Sequence, residues 1–246
     1  MKPLADCRLY AFVDTAYLNG RAPEMVAQQL CDGGADLIQL RAKSSALEEI
    51  RLMAEAILPV TICADVGLVI NDHLSIARQV GAQLCHLGQQ DFFGQGYTHV
   101  SKLAEMPAQM NTLSGHPLPK GEGWGEGEGI VRQPTVPDKA GARIQIGLST
   151  HSPDQARKAI AAGANYIANG PVYATGTKPG AKPVTLDYVR WATANVTVPW
   201  FAIGGINLSN IHEVLAAGAQ RICVVSAILN SDDIAGTCRK FKNHLS

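Results

Sequence analysis

The chain alternates short, mostly apolar runs with segments that are rich in alanine or amphipathic at helical spacing. Runs of this kind are typical of buried strands, and the segments between them are typical of helices. The eight runs begin at Arg8, Asp36, Gly67, Gln83, Arg143, Asn165, Pro199 and Arg221. Helices are predicted over, among others, residues 23–31, 45–57, 153–161, 209–216 and 232–242. This order predicts a parallel sheet with right-handed helical crossovers.

A glycine followed by an alanine recurs where a predicted helix meets the next predicted strand. The four glycines in this position are Gly34, Gly81, Gly163 and Gly218. Glycine ends a helix readily because it tolerates the left-handed backbone region. The repeat therefore indicates a recurring α-to-β turn.

Eight strand-helix units in 246 residues predict an α/β fold, a (β/α)8 TIM barrel that forms one domain over residues 1–246. The active site of such a barrel lies at the carboxyl ends of its strands. A doubly wound open sheet is the alternative, because it also alternates strands and helices. Ser152 and Ser209 are expected to cap two of the helices.

One interval, between Gly81 and Gly163, is longer than the others. The excess falls in residues 107–143, which contain the sequence HPLPKGEGWGEGEG beginning at His116. Its Gly/Pro-rich composition predicts a disordered or extended insertion after strand four. A tolerated insertion is favoured over a lid or docking arm.

Composition excludes several classes of protein. Lysine plus arginine and aspartate plus glutamate both total 21, so the balanced charge predicts no nucleic-acid partner. No apolar run reaches the length of a membrane span, and the first residues carry no signal-peptide pattern, which predicts a cytoplasmic protein without a membrane partner. A homo-oligomer is compatible with the sequence but not specified by it.

The six cysteines are scattered without a CxxC pair, which disfavours a zinc site or a disulfide framework. They are Cys7, Cys31, Cys63, Cys85, Cys223 and Cys238. Buried, reduced thiols are expected. A nucleophilic cysteine is the less favoured alternative, because none lies beside an activating base in the sequence.

Cationic and hydroxyl side chains follow two of the predicted strands. Strand two ends in Gln39, Arg41 and Lys43, which alternation places on one side, where they could hold an oxyanion. The loop after strand six offers Thr175, Thr177 and Lys178, a composition that suits an anionic ligand. An ordinary Gly/Pro turn explains that loop equally well.

Two carboxylates are expected at neighbouring strand ends. Asp72 follows strand three, next to Asn71, and Asp91 follows strand four. Magnesium prefers one or two carboxylates together with phosphate oxygens and water, so the pair predicts an Mg²⁺ site. Asp72 could instead cap the next helix. His86 is expected to be a hydrogen-bonded barrel residue rather than a metal ligand.

The remaining strand ends add hydroxyl and backbone donors. Ser149 follows strand five, Gly205 follows strand seven, and Val225 and Ser226 end strand eight. Loops after strands seven and eight of such barrels commonly bind phosphate through backbone amides. The sequence thus predicts two anion sites in one bowl.

Seven motifs occur in the order of the strands: QLRAK, INDH, HLGQQD, GLSTHS, GPVYATGTK, AIGGI and VVSAI. In this order and spacing they closely resemble the thiamine-phosphate synthase family, from about Arg8 to the end of the chain apart from the insertion. The resemblance implies a transferase that joins hydroxymethylpyrimidine diphosphate to hydroxyethylthiazole phosphate, releasing pyrophosphate before the thiazole nitrogen captures a pyrimidine carbocation.

The resemblance also implies a role for each matching position. It assigns Asp72 and Asp91 to magnesium. It assigns the pyrimidine diphosphate to Gln39, Arg41, Lys43, Asn71, Ser149 and Lys178, of which Arg41, Lys43, Ser149 and Lys178 would act catalytically. It assigns the thiazole phosphate to Thr175, Thr177, Gly205, Val225 and Ser226.

The chain departs from the family pattern at three places: His73 replaces the usual arginine, Ala42 replaces a common acidic residue, and the segment at 174–176 lacks the usual prolines. Two alternatives stay open. A thiazole tautomerase of the same fold would act on the thiazole alone and would not need a diphosphate grip. A non-catalytic barrel that binds thiamine precursors would bind without turnover.

Overall fold

The computed structural model describes residues 1–104, 144–176, 180 and 182–245. Within these residues eight parallel strands form a closed barrel, in which each strand pairs with the next and β8 pairs with β1. The strands are β1 (Leu9–Asp14), β2 (Leu37–Arg41), β3 (Gly67–Asn71), β4 (Leu84–Leu87), β5 (Gln145–Thr150), β6 (Tyr166–Asn169), β7 (Trp200–Ile203) and β8 (Ile222–Cys223).

Helices separate the strands along the described parts of the chain. They are α1 (Pro23–Asp32), α2 (Leu47–Cys63), α3 (Leu74–Val80), α4 (Gln89–Phe92), α5 (Ser101–Ala104), α6 (Pro153–Ala161), α7 (Thr185–Asn195), α8 (Ile211–Ala216), α9 (Ser226–Leu229) and α10 (Ile234–Asn243). None of the helices in this part of the chain is both long and apolar enough to cross a membrane. The predicted insertion, residues 107–143, lies outside the described residues.

The predicted TIM barrel is confirmed, and the closed ring of strands excludes the doubly wound open sheet. The strands begin within two residues of their predicted starts. The largest difference is at β8, which ends at Cys223 because the chain turns into α9 at Ser226. Ser226 therefore begins a helix instead of ending a strand.

The glycine-alanine turns have the predicted backbone. Gly34, Gly81, Gly163 and Gly218 have φ values of 83°, 77°, 79° and 100°, all in the left-handed region that favours glycine. The alanine after each glycine is buried and leads into the next strand. These turns bring each helix back onto the outside of the barrel.

Two groups of buried side chains form the core. The larger group lies between the strands and the surrounding helices and includes Leu40, Ile70 and Ile167. The smaller group includes Tyr10, Phe201 and other side chains of alternate strand positions, and it fills the barrel interior. The barrel is therefore packed below its carboxyl end and is not an open channel.

Two helix predictions need correction. Ser209 does not cap α8, because the helix begins at Ile211 and Asn207 Oδ1 accepts the backbone N–H groups of Ser209 and Asn210 instead. Helix α2 runs past the predicted end at residue 57 and through Pro59 to Cys63, because Ile57 and Thr61 are buried against the barrel. The Ser152 cap is confirmed, since its hydroxyl accepts the N–H of Gln155.

The cysteine prediction holds in part. All six thiols are free, and Cys7, Cys85, Cys223 and Cys238 are buried. Cys63 is exposed and Cys31 is half-buried, so the expectation of six buried thiols was wrong. Cys63 lies in the last turn of α2, in the part of that helix that extends beyond its predicted end.

A buried carboxylate joins the chain termini at the amino end of the barrel. Asp36 Oδ2 accepts the backbone N–H groups of Arg8 at 2.6 Å and Leu9 at 2.9 Å, and both carboxylate oxygens lie 2.6 Å from Lys242 Nζ. Lys2 Nζ forms a further ion pair with Asp36 Oδ1. Burial alone would raise the pKa of Asp36, but the bonds from Lys2, Lys242 and the two amides lower it below its usual value.

Candidate active site

A cavity of about 690 Å³ opens at the carboxyl ends of the strands. Of the residues predicted to bind substrate or metal, the structure places the following in its wall: Gln39, Arg41, Lys43, Asn71, Asp72, Asp91, Ser149, Thr175, Gly205, Val225 and Ser226. Thr177 and Lys178 lie outside the described residues. Residues that are distant in sequence thus meet in one bowl, as the barrel prediction required.

Strand β2 directs Gln39 and Arg41 into the cavity, and Lys43 follows in the next loop. Arg41 Nη1 donates to Asp14 Oδ2 at 2.7 Å. Asp14 itself is only 1% exposed and accepts the N–H of Ala16 at 3.0 Å. No role was predicted for Asp14, although its place at the end of β1 could have suggested one. This carboxylate fixes the orientation of Arg41.

Asp72 has an unusual backbone conformation, with φ of 62°. Its Oδ2 accepts a hydrogen bond from Asn71 Nδ2 at 2.6 Å and lies 3.2 Å from Lys43 Nζ. It does not cap α3, whose N-cap is His73. Strained backbone conformations of this kind concentrate at functional sites, because the surrounding structure must stabilise them.

Asp91 is the second carboxylate in this part of the cavity wall. It lies in the short helix α4, and its side chain accepts no hydrogen bond from the residues that the structure describes. The pKa of His73 is lowered by burial, while Asp72 and Asp91 oppose that shift. Both carboxylates therefore act on the same imidazole, which places them in one neighbourhood.

The donor set suits magnesium. Among the described residues no group of three or more His, Cys, Asp or Glu side chains could hold a metal ion. An ion in this cavity would thus depend on two carboxylates, with substrate oxygens and water as its other ligands. Magnesium is commonly bound in that way. The amide groups of Asn71, Gln89 and Gln90 lie in the same wall and would offer further polar partners near such an ion.

The opposite side of the cavity is formed by the loops after β6, β7 and β8. Gly204 and Gly205 have φ values of 104° and 66°, and a Cβ on Gly204 would collide with Pro171. This close approach lets Val172 N–H donate to Ile203 O at 2.8 Å. Within the described residues, the backbone N–H groups of Gly205, Val225 and Ser226 are among those in these loops that have no hydrogen-bond acceptor.

His86 is confirmed as a hydrogen-bonded barrel residue. Its Nε2 lies 2.9 Å from Ser149 Oγ, and its Nδ1 lies 3.3 Å from the Tyr166 hydroxyl. Burial lowers the pKa of His86 to about 4, so the imidazole is neutral near pH 7. Ser149 therefore lies at the cavity surface, with His86 as its hydrogen-bond partner on the side of the barrel interior.

Sequence reasoning missed several other residues in the wall. Gln89 Nε2 donates to the backbone oxygen of Ser149 at 2.5 Å and so ties α4 to β5. The HLGQQD motif could have revealed Gln89 and Gln90. Others include Tyr10, Phe12, His151 and Gln155.

Comparison with known proteins identifies the family. A model described as "Thiamine monophosphate synthase" matches residues 9–96 and 132–228. The chain belongs to this thiamine monophosphate synthase family. The thiamine-phosphate synthase of Halalkalibacterium halodurans is 34% identical over 243 residues, which cover 98% of this chain and 97% of the relative. That of Acidothermus cellulolyticus is 37% identical over 251 residues, covering 99% and 97%.

A solved structure supports the fold. The thiamine phosphate pyrophosphorylase from Pyrococcus furiosus has a TM-score of 0.73 and 24% identity, covering 97% of this chain and 95% of that one. The family match is interrupted at residues 97–131, which overlap the predicted insertion. As a member of the thiamine monophosphate synthase family the chain is a transferase of thiamine biosynthesis that acts on small molecules and synthesises thiamine phosphate.

Proposed function

We propose that the chain condenses hydroxymethylpyrimidine diphosphate with hydroxyethylthiazole phosphate by a dissociative displacement. The observation that carries this proposal is the composition of one cavity wall. One side of the cavity carries two carboxylates and two cations, which are Asp72, Asp91, Arg41 and Lys43. The loops on the other side carry backbone N–H groups that have no acceptor among the described residues. The cavity therefore offers different chemistry to two anionic groups.

The pyrimidine diphosphate would bind on the side of β2 to β5. Arg41, held by Asp14, offers a fixed guanidinium, and Lys43 adds a point charge near Asp72. Asn71 and Gln39 supply amide groups, and Ser149 a hydroxyl. Lys178, outside the described residues, remains a predicted contributor. Asp72 and Asp91 would hold Mg²⁺, which when bound would neutralise charge on the leaving diphosphate.

The thiazole phosphate would bind on the opposite side. The amides of Gly205, Val225 and Ser226 have no recorded acceptor in the described structure, and phosphate oxygens accept several such bonds at once. Thr175 lines the same wall, and Thr177 remains a prediction of the sequence. The two substrates would then face each other across the bowl.

The chemistry needs charge stabilisation and alignment more than proton transfer. The bond between the pyrimidine methylene and the diphosphate oxygen breaks, and the electron pair leaves with the diphosphate. The thiazole nitrogen then donates its lone pair to the resulting carbocation, forming the new C–N bond. Arg41, which Asp14 orients, and Lys43 stabilise the departing charge, and the cavity holds the two reactants close together.

A direct assay tests the proposal. The purified chain is mixed with both precursors and Mg²⁺, and thiamine phosphate and pyrophosphate are quantified. Equal amounts of the two products are expected, with none when either precursor is omitted. Conversion of the thiazole phosphate alone would point to a tautomerase, and binding of both precursors without turnover would point to a sensor. A cytoplasmic location and a homo-oligomer stay predictions of the sequence.

A further inference from the structure

A chain of hydrogen bonds crosses the barrel interior from β2 to β5. Gln39 Nε2 donates to the Tyr10 hydroxyl at 2.5 Å, and the Tyr10 and Tyr166 hydroxyls are 3.2 Å apart. The Tyr166 hydroxyl lies 3.3 Å from His86 Nδ1, and His86 Nε2 lies 2.9 Å from Ser149 Oγ. Both end members, Gln39 and Ser149, are cavity residues to which the proposed function assigns substrate contacts. We call these five side chains the barrel relay.

The members of the barrel relay are neutral. Burial raises the pKa of both tyrosine hydroxyls well above the usual value. The His86 side chain is buried, and its two ring nitrogens lie next to hydroxyl groups and not to a carboxylate. A neutral hydroxyl has one proton to donate, and a neutral imidazole has one N–H and one bare nitrogen. Each internal member can therefore donate in one direction only.

The amide at one end sets that direction. Gln39 Nε2 can only donate, so the oxygen of Tyr10 is the acceptor and the Tyr10 proton is left for Tyr166. Tyr166 then has its own proton left for His86 Nδ1, which makes Nδ1 the bare nitrogen. The N–H of His86 must consequently be on Nε2, and it points at Ser149 Oγ. Ser149, having accepted that bond, has its proton left for the cavity.

We propose that Tyr10 and Tyr166 hold His86 as the Nε2–H tautomer, and that His86 in turn orients Ser149 so that its hydroxyl donates a proton to an acceptor on the bound substrate. Tyr10, Tyr166 and His86 are thus positioning residues. The proposal rests on the proposed function only for the identity of that acceptor. The reverse direction would require the Gln39 amide to turn its Oε1 towards Tyr10, because with Nε2 in that place the Tyr10 proton would have no acceptor among the described residues, which is costly in a buried site. The relay thus sets a donor at the cavity wall before substrate arrives.

Nitrogen NMR tests the tautomer without substrate. Histidine-labelled protein is compared with His86→Gln to identify the His86 signals among those of the seven histidines. A protonated Nε2 and a bare Nδ1 are expected near pH 7. A protonated Nδ1, or an equal mixture of tautomers, would overturn the proposal and leave the proposed function untouched.

A double-mutant cycle tests whether the relay acts through Ser149. Tyr166→Phe is expected to lower kcat/KM for the pyrimidine diphosphate by about fivefold to tenfold, the effect of one misdirected hydrogen bond, with the KM for the thiazole phosphate unchanged. In a Ser149→Ala background the same change should have almost no further effect. Additive losses would mean that Tyr166 acts only through packing.

Tyr188→Phe is the matched control. It also removes a buried phenol hydroxyl, one that donates to Thr150 Oγ1 at 2.8 Å and lies outside the relay. This variant should keep both the His86 tautomer and the wild-type kcat/KM. Should Tyr166→Phe fail to fold, the tautomer of the wild-type chain still decides the question.

Discussion

The two ends of the barrel use aspartate in opposite ways. At the amino end, Asp36 is only 4% exposed and is surrounded by two backbone amides, Lys2 and Lys242. At the carboxyl end, Asp72 is 21% exposed and has a left-handed backbone. Its Oδ2 lies 3.2 Å from Nζ of Lys43, whose side chain is 54% exposed. Asp91 accepts no hydrogen bond from the described residues.

Under the proposed function, this difference separates a stabilising carboxylate from two ligand-binding ones. The oxygens of Asp36 are saturated by donors that belong to the chain, so the carboxylate holds the first strand and the last helix against β2. In the proposed function, Asp72 and Asp91 would use their oxygen atoms to bind an external partner. Such a division is general in barrels, where the amino face stabilises and the carboxyl face carries the site.

The largest expected effect comes from removing charge at the carboxyl end. Asp72→Asn and Asp91→Asn should each lower the rate of pyrophosphate release by about 10²-fold or more, the usual cost of losing a group that stabilises charge in the transition state. The urea midpoint should stay near that of the wild type, because asparagine also tolerates the left-handed backbone. An unchanged rate in both variants would contradict the assignment.

The same substitution at the amino end should act on stability. Asp36→Asn leaves Lys2 and Lys242 without their shared partner and should lower the free energy of unfolding by about 3 kcal/mol. Its kcat, measured well below the unfolding temperature, should match the wild type. Asp154→Asn, which breaks an exposed ion pair with Arg157, is the control and should change stability by less than about 0.5 kcal/mol.

Asp14 sharpens the comparison, because it is buried like Asp36 but lies at the carboxyl end. Asp14→Asn removes the charge that holds Arg41, so kcat/KM for the pyrimidine diphosphate should fall by about tenfold. Stability should also fall, by about 1 to 2 kcal/mol, since a buried hydrogen bond to a charged group is lost. A loss of stability with full activity would show that Arg41 needs no orientation.

Acid titration gives the smallest expected effect. The folded pKa of Asp36 lies below the usual value of 3.8, so its stabilising contribution is complete above that value and is lost as the pH falls through the folded pKa. The difference in unfolding free energy between wild type and Asp36→Asn should be constant near neutral pH and shrink below about pH 4. A difference that grows on acidification would have the wrong sign.

The sequence was sufficient for the barrel and for which residues share its carboxyl end. The order of the strands and the glycine-alanine turns can be read from local sequence, and closure of the barrel then brings Gln39 and Ser226 to the same cavity. The sequence was insufficient for features that are determined by packing between residues distant in the chain. The partnership of Asp14 with Arg41, the relay through Tyr10 and Tyr166, and the extension of α2 through Pro59 all depend on neighbours distant in the chain.

The claim that the carboxyl end holds a divalent ion next to the leaving group can be measured directly. Mn²⁺ is titrated into the wild-type chain, Asp36→Asn and Asp72→Asn in the presence of pyrophosphate, and free Mn²⁺ is followed by electron paramagnetic resonance. Asp36→Asn should bind Mn²⁺ as tightly as the wild type, whereas Asp72→Asn should bind it at least about tenfold more weakly. Equal binding by Asp72→Asn and the wild type would contradict the account.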